Sequence, residues 1–381
     1  MTKTSSPLNI LFWGTYDLGK PRLRILMRGL KENQAQIAEC HYDVWSAVED
    51  KSQIKGIKAK LFYLVKLLIN YPFLIAKFLV AKKPDVIFIG YLGHFDILII
   101  YPFAKLKGVP IVWDTFLSLY NTVVEDRKLI NPKHPLAHLL FFFEKLSCRA
   151  ANLIFLDTQA HADYFINTFE IERKKVHAVF VGAEPEKFYP IDNIKGDKGN
   201  QSSIIKVLFY GQFIPLHGIE TIIQAAKLTN NDNIKWIIIG KGQEEIKIKK
   251  MLDDEPVRNL VWIPWVNYND LISWINKANI CLGIFGDTGK ASRVIPNKVF
   301  QMIMAGKPII TRDSPAITEL LNDSMPGVRL IPPSDPVALV TAIGELSRSC
   351  DASGFHQDIT EKIRPAYIGK RLLKFIESVT L

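Results

Sequence analysis

Three cations lie close together in the second half of the sequence, Lys290, Arg293 and Lys298, with Pro296 among them. The apolar run from Ile280 to Phe285 precedes them. Val299, Met302, Ile303 and Met304 follow on a helical stripe, and a second apolar run covers Pro308 to Thr311. That order predicts strand, long loop, helix and strand. Pro296 suits the first helical position, which puts Asn297 and Lys298 in the first turn, where unpaired backbone N–H groups and the helix dipole favour an anion. A phosphate suits this arrangement, although an ordinary strand-to-helix connection shares the pattern.

Two further loops carry groups of the same kind. Gly211 to Gly218 (GQFIPLHG) ends where a helix should begin, and Gly240-Lys241-Gly242 predicts a tight turn whose glycines let backbone approach a ligand. Helix N-termini and cationic side chains in one crevice describe a site for a diphosphate. In the first half, the loop that starts at Gly14 also holds Gly19 but lacks G-x-G-x-x-G spacing. Asp114 follows the strand Pro110 to Trp113, at the strand end where open sheets gather functional residues. It reads either as a catalytic carboxylate or as a cap or turn residue. No Asp-x-Asp stands at a strand end to suggest a metal site, and Asp253-Asp254 falls on a helix as a solvated pair.

Alternating strands and helices must position these loops. The first half reads as strands at Leu8 to Trp13, Asp85 to Gly90, Pro110 to Trp113, Asn152 to Asp157 and Lys175 to Val181. The second has strands at Ile204 to Gly211, Ile234 to Ile239, Leu260 to Pro264, Ile280 to Phe285, Pro308 to Thr311 and Val328 to Ile331. Helices fall between them, including one over Ser314 to Leu321 and one opened by Asp335-Pro336. The polar stretch IDNIKGDKGNQSS is the one break in composition. The expected organisation is an α/β chain of two Rossmann-like domains facing across a cleft: residues 1–190, a linker at 191–203, residues 204–358, and a basic C-terminal helix within 359–381 that can pack back on the first domain.

At 381 residues two domains are the natural expectation. Lysine and arginine number 48 against 38 acidic residues, a balance that draws phosphorylated ligands, nucleic acid or an acidic membrane. Nucleic acid is disfavoured because no aromatic-basic motif of recognised spacing is present. The four scattered cysteines point to a reduced, cytoplasmic compartment, and the N-terminal apolar run is too brief for a signal peptide. Between Lys51 and Lys83 stand eight lysines and no acidic residue, interleaved with aliphatic and aromatic side chains. Two lysines and Pro72 inside the apolar window argue against a spanning helix. The stretch reads equally as a helix lying on an anionic membrane surface and as a crossover helix with lysines snorkelling outward.

The order of loops in the second half resembles the donor domain of family 4 glycosyltransferases of the GT-B fold. The family's G-R-x-x-x-x-K-G, G-x-G and E-x7-E segments correspond here to GQFIPLHG, GKG and RVIPNKVFQ before MIMAGKPII. KPDVIFIG and GVPIVWD extend the resemblance loosely into the first half. It implies a metal-independent transferase without a cofactor and a UDP- or GDP-linked sugar donor. The basic-apolar stretch from Lys51 to Lys83 suggests a lipid-linked or glycan acceptor on the inner face of the cell membrane.

Gln212 and His217 stand where the family carries its phosphate-binding Arg and Lys, and Arg293 and Gln301 replace its two glutamates. The resemblance then gives His217 a phosphate oxygen, Gln301 the ribose hydroxyls, Arg293 an acidic sugar or phosphate, and Trp265 and Val266 the base. Asp114 stands near a usual family His, as a general base on the acceptor in an inverting reaction or as a residue of a retaining one. A sugar-nucleotide epimerase and a non-catalytic relative are the alternatives; the cleft loops hold no paired carboxylates of the kind an epimerase needs.

Overall fold

Apolar runs bounded by turn residues become the strands of two parallel six-stranded sheets in the computed structural model, which describes residues 7–44, 56–191, 204–229, 233–348 and 354–380. The first unit comprises residues 1–124, 128–181 and 365–381, and the second residues 125–127 and 182–364. The division at Val181/Gly182 precedes the stretch expected as linker, which lies outside the described residues except for Ile191.

The first unit runs β1 (Asn9–Gly14), α1 (Pro21–Glu32), β2 (Gln36–His41), α2 (Ile57–Val80), β3 (Val86–Ile89), α3 (His94–Lys107), β4 (Ile111–Asp114), α4 (Pro135–Ala150), β5 (Leu153–Leu156), α5 (Gln159–Phe169) and β6 (Val176–Ala178). Its strand order is β2-β1-β3-β4-β5-β6. Alternate strand residues face opposite sides, so Leu11, Ile87, Ile111 and Ile154 meet α2, α3 and α5, while Ile10, Val86, Val112 and Leu153 meet α1 and the C-terminal helix.

The second unit runs β7 (Ile205–Tyr210), α6 (Ile219–Leu228), β8 (Ile234–Ile239), α7 (Glu245–Asp254), β9 (Leu260–Ile263), α8 (Leu271–Lys277), β10 (Ile280–Leu282), α9 (Asn297–Met304), β11 (Ile309–Arg312), β12 (Val328–Ile331), α10 (Pro336–Ser347) and α11 (Gln357–Thr360). Its strand order is β12-β11-β10-β7-β8-β9. The last helix, α12 (Pro365–Thr380), belongs to the first unit. It lies against α1, where Gly29 and Gly369 let the two backbones touch and Asn33 Nδ2 donates to the Ala366 carbonyl at 2.8 Å.

Three local readings change. β2 was not expected, because its side chains are mostly exposed on a sheet edge and QIAECH carries no apolar run. The helix expected over Ser314 to Leu321 is only a 3₁₀ turn at Ile317–Glu319, closed by Leu320 N–H donating to the Ile317 carbonyl. Pro296 occupies the cap position with extended backbone (φ −69°, ψ 147°), so α9 starts at Asn297 and Lys298 is its second residue. Asp335 caps α10 as its sequence suggests, accepting from the Ala338 N–H at 2.9 Å.

Candidate functional site

In the second unit, three loops at the carboxyl ends of β7, β8 and β10 close on one another through glycines. Gly240 has φ +151°, and a Cβ there would run into the Gly211 carbonyl. Gly218 has φ +62° and caps α6, and its added Cβ would lie 2.5 Å from the Gly286 nitrogen. Phe213 and Lys241 are joined through backbone at 3.0 Å. The Gly240-Lys241-Gly242 turn therefore uses its glycines to approach the neighbouring loop.

Lys298 reaches the centre of these loops. It is 5% exposed, its Nζ lies 3.8 Å from the Phe209 ring centroid, and that ammonium has no hydrogen-bond partner among the described residues. Burial pushes its pKa well below the usual lysine range. The His217 imidazole beside it is also buried, and burial followed by the Lys298 charge holds its pKa well below the usual histidine range. His217 Nδ1 donates to the Gln212 carbonyl. Arg312, on β11, is buried and donates to the Gly286 carbonyl. Cations thus gather where helices α6 and α9 begin.

The remaining sequence candidates of this unit are spread around that centre. Arg293 is half-buried, with a guanidinium nitrogen 3.7 Å from Glu125, and Thr288 donates to Asp126 at 2.8 Å. Lys290, Asn297 and Gln212 are half-buried. The Gln301 amide, expected at ribose hydroxyls, is occupied by ring hydroxyls: Tyr210 donates to it at 3.0 Å, and it donates to Tyr268 at 3.4 Å. Tyr268 in turn donates to Glu184 at 2.7 Å. Lys241 and Trp265 are exposed, the lysine nitrogen 5.6 Å from the indole centroid, and Val266 is half-buried.

In the first unit, Asp114 is fully buried and its carboxylate is held by Arg22, with Nη2 and Nε at 2.7 and 2.9 Å from Oδ1. Arg22 also donates to the Val179 and Leu156 carbonyls and lies 5.4 Å from the Phe116 ring centroid. Burial raises the Asp114 carboxyl pKa and the guanidinium opposes that rise. Through Arg22 this carboxylate ties α1 to the sheet. Gly14 abuts the Asp96 carboxylate, which accepts from Thr15 N–H at 2.8 Å and the Tyr71 hydroxyl at 2.7 Å.

Arg22, Asp96 and the buried acceptor Glu144, which takes bonds from His94, Ser118 and the Leu119 and Tyr120 N–H groups, escaped sequence reasoning. The available signal was a lone carboxylate in each of the helices α3 and α4; Arg22, one of several charges on α1, offered none.

Residues 204–349 match the family model described as glycosyl transferases group 1. The chain is 28% identical over 141 residues to a putative colanic acid biosynthesis glycosyl transferase, WcaI, of Escherichia coli K12, covering 36% of this chain and 34% of that one. It is 24% identical over 223 residues to the chitobiosyldiphosphodolichol beta-mannosyltransferase of Candida albicans, covering 55% and 48%. The matches thus span a third to a half of those relatives.

Among solved structures, sucrose-phosphate synthase from Thermosynechococcus elongatus superposes with a TM-score of 0.69 at 13% identity, over 98% of this chain and 99% of that one. Anabaena HepE in complex with UDP and glucose gives 0.65 at 13% identity, over 97% and 100%. The fold is the two-domain α/β GT-B fold.

Proposed function

We propose that this chain is a glycosyltransferase that moves a hexose from a nucleoside-diphosphate sugar, UDP- or GDP-linked, to an acceptor hydroxyl. The observation that carries this reading is the buried Lys298 ammonium without an anionic partner at the junction of three glycine-closed loops. A donor diphosphate supplies the missing charge. Lys298 and the α6 and α9 N-termini then stabilise the negative charge that grows on the departing diphosphate, with Arg293, Lys290 and Arg312 adding positive potential. His217, kept neutral by its surroundings, serves as a hydrogen-bonding group and not as a charge. In this reading side-chain cations do the work at the leaving group without a metal ion, Trp265 and Val266 flank the base, and Arg293 and Gln301 stand where the family carries glutamates. Gln301 shapes the site through Tyr210 and Tyr268.

The first unit takes the acceptor. Asp114 and Arg22 act there as positioning residues, holding α1 against the strand ends, and the acceptor is oriented by the loops they fix. A relative's name favours a lipid-linked saccharide, since the Candida albicans protein is named for a dolichol-diphosphate acceptor. Thermal shift against UDP, GDP, ADP and their sugars tests the donor half of the reading: UDP or GDP should stabilise the chain by mass action, and stabilisation by none of them would remove the proposal.

A further inference from the structure

Helices α2, α3 and α4 connect successive strands of the first unit's sheet, and α3 packs beside both α2 and α4. Their inward sides seat in one core: Leu67, Tyr71, Leu74 and Phe78 of α2, spaced to recur on one helical face, join Ile97 and Ile100 of α3 and Cys148 of α4. Their outward sides are apolar too. Phe62, Ile69 and Phe73 on α2, Leu106 on α3, and Leu139 and Phe142 on α4 are each more than 60% exposed. An apolar layer across three adjacent helices exceeds what soluble monomers ordinarily leave in water.

The charges on this layer have one sign. α2 contains no acidic residue, and the only carboxylates of α3 and α4, Asp96 and Glu144, are fully buried and hydrogen-bonded inside the unit. Lys58, Lys77 and Lys105 on these helices, and Lys82 and Lys83 just after α2, are exposed, and Lys77 lies 5.7 Å from the Phe73 ring centroid. Among neighbouring acids, Glu170 is already paired with Lys145, and Asp85, just beyond Lys83, accepts from the Asn9 backbone and side-chain amides at 2.7 and 3.2 Å. Exposed apolar side chains ringed by unopposed lysines match the headgroup layer of an anionic bilayer, where rings and aliphatic groups insert and ammonium groups meet lipid phosphates.

We propose that the outward face of α2, α3 and α4 docks flat on an anionic phospholipid bilayer. The segment Leu61–Val80 has the length and composition of a membrane span. It does not cross in this arrangement, because one side of it is the sheet's core, Trp13 Nε1 donates to its Leu74 carbonyl at 3.3 Å and Tyr71 reaches Asp96. The inference deepens the reading of a lipid-linked acceptor and rests on that reading only for its purpose, since docking itself requires neither donor nor acceptor. It sets the first unit's sheet along the membrane plane, one helix layer away from the headgroups.

The test is co-sedimentation of the full chain, without nucleotide, with vesicles of phosphatidylcholine alone or mixed with phosphatidylglycerol. Binding should be at least about tenfold stronger to the mixed vesicles and weaken with added salt. Phe62→Ser/Ile69→Ser/Phe73→Ser should reduce it about tenfold, and Lys58→Gln/Lys77→Gln/Lys82→Gln/Lys83→Gln should erase the preference for phosphatidylglycerol. The UDP-induced thermal shift should remain in both variants, which separates this result from failure of the donor site. Equal binding to both vesicles, or binding indifferent to both variants, overturns the proposal. So does sedimentation velocity showing a dimer of this chain that the serine variant dissociates, with no vesicle binding.

Discussion

Replacing Lys298 with methionine should stabilise the free protein and abolish its response to the donor. The ammonium is 5% exposed and lacks an anionic partner, so the folded chain bears a desolvation penalty of several kcal/mol, of which the Phe209 face returns about 2 kcal/mol. Methionine keeps a similar length and removes the charge, leaving a net gain of about 2 kcal/mol. For a unit of this size that raises Tm by roughly 4–8 °C.

The gain has a pH signature. A lysine whose folded pKa lies well below 10.5 binds more protons in the unfolded chain between the two values, so wild-type stability rises with pH through that window and the advantage of Lys298→Met shrinks as pH approaches 10.5. Differential scanning fluorimetry across pH, with and without UDP, measures both effects. A variant that is less stable than wild type at neutral pH, or that still gains stability from UDP, would refute the role given to Lys298.

Other consequences are equally specific. Asp114→Asn leaves Arg22 buried beside a neutral amide, which should cost about 3–5 kcal/mol by urea denaturation, while Arg22→Met/Asp114→Leu should recover part of that loss; full stability with lost turnover would instead make Asp114 a reacting group. Gly240→Ala drives a methyl into the Gly211 carbonyl at positive φ, and should cost about 1–3 kcal/mol and weaken the UDP-induced thermal shift. His217 must be charged in the unfolded chain before it is charged in the folded one, so stability should fall as pH drops below 6.5, and His217→Gln should flatten that acid limb in a fluorimetry series.

Much of the architecture was legible from local pattern. Every run expected as a strand holds a parallel strand, and Asp335-Pro336 capped its helix. The edge strand β2 was not legible because one exposed edge lets QIAECH pair without an apolar run. At the candidate site, the three loops and the cation Lys298 could be read from spacing, but not the burial of its ammonium against the Phe209 ring. The ion pair that buries Asp114 was not legible, because its partner, Arg22, is 92 positions away in sequence. The close approach of the glycine turn to the Gly211 loop was not legible either, because that backbone belongs to another loop of the same unit. Partners distant in sequence decide what a polar residue does, and a single chain read locally does not display them.

The most direct measurement is mass spectrometry of a polyprenyl-diphosphate-linked saccharide incubated with the purified chain and each UDP- or GDP-sugar. The account predicts an acceptor heavier by one hexose, with one nucleoside diphosphate released per transfer, and loss of both in Lys298→Met. Conversion of the free sugar nucleotide without acceptor, or donor binding with no transfer from any sugar nucleotide tried, would contradict it.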